Sequence, residues 1–246
     1  MKTISKYIII LSIFCLFGWN INKVESILSK SSMMHNNSER ITYISSRFLD
    51  TPYKAGTMKG TPDEKEELII RLDGMDCFTF LDYVEALRLS KNPNDFIFNL
   101  KKVRYFDGKV AYENRKHFFT DWISGENNTV KDITPDLPGS VTVEKVINRR
   151  SSDKNWLKNL PQTKRMVTYI PAKMVDKTVI KLLKSGDYIG IYTDKEGLDV
   201  THTGIFIRDG KKELFRNTSS KVMKVTDYSF KEYMEKIQGI VVLRAK

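Results

Sequence analysis

Apolar positions along this chain follow two periods. In the first half they recur at helical spacing. Ile41, Ile44 and Phe48 mark a helix in ERITYISSRFLDTPY that runs into a turn. Phe80, Leu81, Val84 and Leu87 form one stripe of a helix from Cys77 to about Ser90. Between these, KAGTMKGTPDEKEE reads as a charged, glycine-containing loop, LIIRL as a short strand and DGMD as a turn. Residues 95–123 hold another helix, a turn or short strand around YFDGKVAY, and RKHFFTDWI. From about Asp187 the pattern becomes β-rich. IGIYT, VTHTGIFI, ELFRN and GIVVLR read as strands, with RDGKK as a hairpin turn and SFKEYMEKI as a late helix. Helices first and antiparallel strands later make an α+β plan, with N-terminal helices packed on an antiparallel sheet. Residues 124–165 are polar and contain Pro135, Pro138 and Pro161; they read as an insertion carrying a helix.

The N-terminus changes the domain picture. Lys2 and Lys6 precede an apolar run from Tyr7 to Trp19. About 13 residues suit a secretory signal better than a membrane span, which needs about 20. No A-x-A cleavage site is evident, so residues 1–26 are read as a signal peptide or an N-terminal anchor, with possible membrane association. Residues 21–40 read as a polar linker, and 27–246 as a single domain. The expected location is exported, periplasmic or otherwise extracytoplasmic, and the expected state is a monomer. Cys15 lies in the apolar run, but Phe14 before it is a poor fit to a lipoprotein signal.

Charge adds less. The net charge is +11, from 29 Lys and 12 Arg against 30 acidic residues. These bases are spread along the chain with no compact stripe or RNA-binding motif, so nucleic acid is not an expected partner. A diffuse positive charge gives at most a general long-range attraction to acidic partners. Metal binding is not expected, because one cysteine and three scattered histidines (His35, His117 and His202) lack zinc-ligand spacing. No G-x-S-x-G elbow is present, which argues against a serine hydrolase.

The cysteine count adds more. Without the leader, Cys77 is the remaining thiol. It is either a small buried hydrophobe or a nucleophile. Its place at a helix N-terminus favours the thiolate and predicts a lowered pKa. His202 lies 125 residues downstream in the strand region and can supply the base. Asn217, on the partner strand across the RDGKK turn, can lie beside His202 and orient the ring.

TPYKAGT, LIIRLDGMDCFTFLDYVEAL, YENRKHFFTDWI, YIPAK and SGDYIGIYTDKEGLDVTHTGIFI occur in that order. Together they resemble the N-acetylmuramoyl-L-alanine amidase-like family, a branch of the NlpC-type papain-like cell-wall cysteine hydrolases. The resemblance runs from about Ile41 to Arg244. It implies a papain-like α+β fold, Cys77 as nucleophile, His202 as base and no cofactor. The third position, commonly a histidine, falls in NTSS here, which makes Asn217 the candidate. Tyr53 matches the tyrosine of a PYxxG element near the nucleophile. His117 and Trp122, with Tyr112 and Arg115 less so, are implied to border the substrate cleft, although rings in such a stretch are also ordinary core. Asp76 either caps the helix or meets a substrate amine, and Asp199 is either a turn residue or a cleft residue. The implied activity is hydrolysis of the N-acetylmuramoyl–L-alanine amide of peptidoglycan or of its muropeptide fragments, including 1,6-anhydro forms. An endopeptidase cutting within the stem peptide and an inactive peptidoglycan-binding relative are the alternatives.

Overall fold

A computed structural model describes residues 20–126 and 128–246. The Tyr7–Trp19 run and Cys15 lie outside the described residues. Four helices come first: α1 (residues 20–31), α2 (Asn37–Ser46), α3 (Cys77–Arg88) and α4 (Pro93–Arg104). A small hairpin of β1 (Lys59–Thr61) and β2 (Glu64–Glu67) lies between α2 and α3. Then follow β3 (Val130–Asp132), β4 (Val141–Ile147), β5 (Thr163–Pro171) and α5 (Lys177–Leu182). The chain ends with β6 (Tyr188–Tyr192), β7 (Val200–Asp209), β8 (Lys212–Ser219), β9 (Lys224–Ser229), α6 (Phe230–Met234) and β10 (Gly239–Ala245).

The main sheet is antiparallel, in the order β4-β5-β10-β6-β7-β8-β9, with β3 also beside β10. Its strands alternate faces. Ile205, Ile207, Val241 and Leu243 pack toward α1–α4, while Phe206, Ile240 and Val242 pack with α5 and α6. Helix α3 is the central element of the first layer. It is buried from Thr79 through Arg88, including two carboxylates. Burying a carboxylate requires a partner. Asp82 takes Arg104 Nε at 2.8 Å, and Glu85 takes Arg88 Nε and Nη2 at 2.7 Å each. Tyr188 on β6 also donates to Glu85 at 2.7 Å, which fastens the helix to the sheet.

Three expectations need correction. Residues 21–40 are not a linker: α1 buries Val24, Ile27 and Leu28 at i, i+3, i+4, and the expected boundary at residue 26 falls inside it. LIIRL is not a strand. Its backbone bonds go to side chains: Leu72 N–H donates to Asn20 Oδ1 (3.0 Å), Arg71 N–H to Tyr83 Oη (2.9 Å), and the Ile69 carbonyl accepts from Arg104 (2.9 Å). Residues 124–165 carry no α-helix among the described residues; they supply β3, β4 and the start of β5. These strands lie toward one edge of the sheet, where β4 buries only Lys145 and Ile147, so the segment reads as polar.

Candidate active site

Local sequence builds the start of α3. Asp76 is its N-cap: Oδ1 accepts from Phe78 N–H (3.1 Å), Thr79 N–H (2.8 Å) and the Thr79 hydroxyl (2.8 Å). The Asp76 carbonyl accepts from Phe80 N–H at 3.0 Å. Of the two roles open to Asp76, capping is the one the geometry displays. These bonds use the N–H groups of Phe78, Thr79 and Phe80. Among the described residues no oxygen takes the N–H of Cys77, which stays available at the positive end of the helix. Strand β7 is tied to the same turn, because the Thr203 hydroxyl donates to the Cys77 carbonyl at 2.8 Å.

His202 immediately precedes Thr203 on β7, and its Nε2 lies 3.0 Å from Asn217 Oδ1 on β8. The Asn217 amide Nδ2 donates to the Phe215 carbonyl at 3.2 Å. A carbonyl can only accept, so the amide nitrogen faces Phe215 and Oδ1 faces the ring. His202 Nε2 therefore carries the proton, and Nδ1 is left with the lone pair of a base. Asn217 is 1% exposed, so water does not compete for this bond. Cys77 and His202 line one cleft of about 300 Å³, together with His117, Phe118, Trp156 and Asp199.

The electrostatics differ from the lowered thiol pKa that the helix terminus alone predicts. Burial, and then the Asp76 carboxylate, push the Cys77 thiol up to about 11, while hydrogen bonds from Thr203 pull the other way. Burial pushes His202 down, and Asn217 only partly offsets it. Both shifts favour the neutral forms, thiol and imidazole, because desolvation penalises the charged ones.

The other expected residues divide. His117 lines the cleft; its Nε2 bonds the Tyr112 carbonyl at 2.9 Å, which leaves Nδ1 free of that contact. Tyr53 lies near Cys77: burial first, then the proximity of Cys77 and Asp76, raise its hydroxyl's pKa. Asp199 lines the cleft, but its carboxylate is committed. Oδ2 accepts from Thr120 N–H (2.7 Å) and the Thr120 hydroxyl (2.8 Å), and Oδ1 accepts from Val200 N–H (2.7 Å). It fastens the Phe119–Ile123 turn to β7 at the edge of the cleft. Trp122 is not in the cleft wall. It is 3% exposed, with its ring 5.2 Å from Tyr188 and 6.1 Å from Phe78. Arg115 is also a fastener, paired with Glu66 on β2 and bonded to the Lys59 and Gly60 carbonyls. Tyr112 is buried with its ring against His117 at 4.9 Å.

Trp156, half-buried in the cleft wall, had no sequence signal beyond its aromatic identity in a polar stretch. Its indole N–H donates to the Glu196 carbonyl at 2.9 Å, and Lys195 and Arg150 flank the ring at 4.4 and 4.9 Å. Among the described residues no three His, Cys, Asp or Glu side chains cluster as metal ligands.

A helix-capped cysteine packed against an antiparallel sheet, with a histidine–asparagine pair on adjoining strands, places this protein in the α+β, papain-like class. The chain belongs to the N-acetylmuramoyl-L-alanine amidase-like family, which it matches over residues 43–240. It is similar to the crystal structure of an N-acetylmuramoyl-L-alanine amidase from Bacteroides uniformis, at 31% identity and a TM-score of 0.75, over 85% of this chain and 99% of that one. A Bacteroides fragilis structure named provisionally as a xylanase is 31% identical, over 81% of this chain and 98% of its own, with a TM-score of 0.68. A Legionella pneumophila protein shares the fold at 23% identity, over 94% of this chain and 96% of its own, with a TM-score of 0.78. Among curated proteins none matches the sequence.

Proposed function

We propose that this protein is a cysteine-dependent amidase. Its substrate is the amide joining the lactyl group of N-acetylmuramic acid to L-alanine, in peptidoglycan or its muropeptide fragments, 1,6-anhydro forms among them. The observation that carries the reading is that Cys77, at a capped helix start, and His202, held by Asn217, line one cleft.

The chemistry follows from the resting neutral pair. As the sulfur attacks the amide carbonyl, His202 Nδ1 takes the thiol proton. The oxyanion that develops is stabilised by the Cys77 N–H at the helix N-terminus. The tetrahedral intermediate collapses, the C–N bond breaks, and the imidazolium returns its proton to the departing L-alanine amine. A thioester remains on Cys77. His202 then deprotonates a water that attacks it, freeing the lactyl carboxylate and restoring the thiol. Trp156 and Phe118 line the part of the cleft that would hold the sugar half. Glycoside hydrolysis fits this cleft poorly. It uses a pair of carboxylates, and the one acidic residue among those lining the cleft, Asp199, is fully hydrogen-bonded. Export by the N-terminal segment would put the enzyme where its substrate is.

Defined muropeptides, with products identified by mass spectrometry, test the reading. Free muramic sugar plus a stem peptide beginning with L-alanine is the expected result. Muramic fragments that retain a dipeptide would indicate an endopeptidase instead. Undiminished cleavage by Cys77→Ala would overturn cysteine catalysis.

A further inference from the structure

Beside the Cys77 cleft lies a second cavity of about 350 Å³, which shares Thr201 and His202 with it. Its polar floor is organised: the Ser219 and Tyr228 hydroxyls are 2.9 Å apart, and Ser219 Oγ accepts from Lys221 N–H at 3.2 Å. Tyr233 of α6 also lines it. Burial, then Tyr228, then Cys77 raise the Tyr233 hydroxyl's pKa, so the cavity is within electrostatic reach of the nucleophile. Two exposed lysines, Lys221 and Lys236, complete it, no acidic residue lines it, and neither lysine forms an ion pair with a described residue.

The proposed reaction orients the substrate across these two spaces. The acyl half stays bonded to Cys77, so it occupies the cleft that contains Cys77. The amine half receives its proton from His202 and departs. The space bordered by His202 but not by Cys77 therefore suits the amine half. In the proposed substrate that half is a peptide whose residue after L-alanine bears a free carboxylate.

We infer that the cavity between His202 and Lys236 binds the leaving stem peptide, and that Lys221 and Lys236 are the positioning residues that select its carboxylates. This rests on the amidase reading for the identity of the peptide. Both lysines are solvated, so each contributes modestly and the contribution is screened by salt.

The test combines kinetics and binding. The double variant Lys221→Gln/Lys236→Gln should raise KM about fivefold to tenfold on a substrate with free stem carboxylates, with kcat nearly unchanged. On the same substrate with those carboxylates amidated, wild type and double variant should have the same KM. Separately, the product peptide should bind Cys77→Ala at low salt and lose that affinity when the two lysines are also replaced. Equal KM effects on both substrates, or peptide binding indifferent to the lysines, would overturn the inference. Cleavage at the expected amide without charge discrimination removes this site and leaves the amidase reading. Lysine-dependent peptide binding with no cleavage at that amide removes the amidase reading and leaves the site.

Discussion

The Thr203 hydroxyl donates to the carbonyl of Cys77 across 2.8 Å. This bond joins the turn that carries Cys77 to the residue after His202, the proposed nucleophile and base, so two elements far apart in sequence share one geometry. Thr203 is 1% exposed, so water does not replace the bond when it is lost. Thr203→Val keeps the shape and removes the donor. It should lower stability by about 1–2 kcal/mol and kcat/KM by roughly tenfold. Thermal unfolding read beside kinetics checks this; a fall in Tm with unchanged kcat/KM would make the bond purely structural.

Asn217 orients His202 through Oδ1 and is itself oriented by the Phe215 carbonyl. Asn217→Ala should reduce kcat by roughly 10- to 100-fold with little change in KM, because the ring loses its fixed tautomer. Asn217→Gln places an amide of the wrong length and should rescue little. A variant that raised KM alone would show that Asn217 touches substrate instead.

The two tryptophans should behave oppositely. Trp122 is core, so Trp122→Ala should cost about 3–5 kcal/mol of stability. Trp156 stands in the cleft wall, so Trp156→Ala should leave Tm nearly unchanged and raise KM several-fold on sugar-bearing substrates. Paired denaturation and kinetic measurements separate them.

The pH dependence follows from desolvation. In the proposed mechanism His202 must be neutral to accept the thiol proton. Burial lowers its pKa, so the acid limb of kcat/KM should fall below the ordinary histidine value near 6.5. The thiol is raised to about 11, so thiolate absorbance near 240 nm, taken as wild type minus Cys77→Ala, should appear only above about pH 9. Thiolate already present at pH 6 would mean a resting ion pair. His202 also affects stability: a histidine with a depressed folded pKa binds fewer protons folded than unfolded, so acidification through 6.5 favours unfolding.

Much of the site was legible because its signals are local. Asp76 and Thr79 bracket Cys77 in a three-residue capping relation, which needs only the helix itself. The register of the β7–β8 hairpin, set by the Asp209↔Lys212 turn, carries Asn217 to His202. The α3 stripe and the late strands announced themselves by period, and hence so did the α+β class.

The rest depended on what surrounds each residue. Nothing local distinguishes Trp122 from Trp156; one ring is covered by Phe78 and Tyr188, and the other is left at a cleft wall. Strand β4 looked like a polar insertion because its exposed residues face solvent, and α1 looked like a linker until α4 and the 68–72 segment supplied surfaces for it. The thiol's resting state turned the same way. A helix start alone argues for a thiolate, but burial is set by the packed elements around it, and here desolvation outweighs the helix terminus. Hydrogen-bonding patterns a few residues long were therefore written in the sequence, whereas burial, and the protonation states that follow from it, came only with the packed chain.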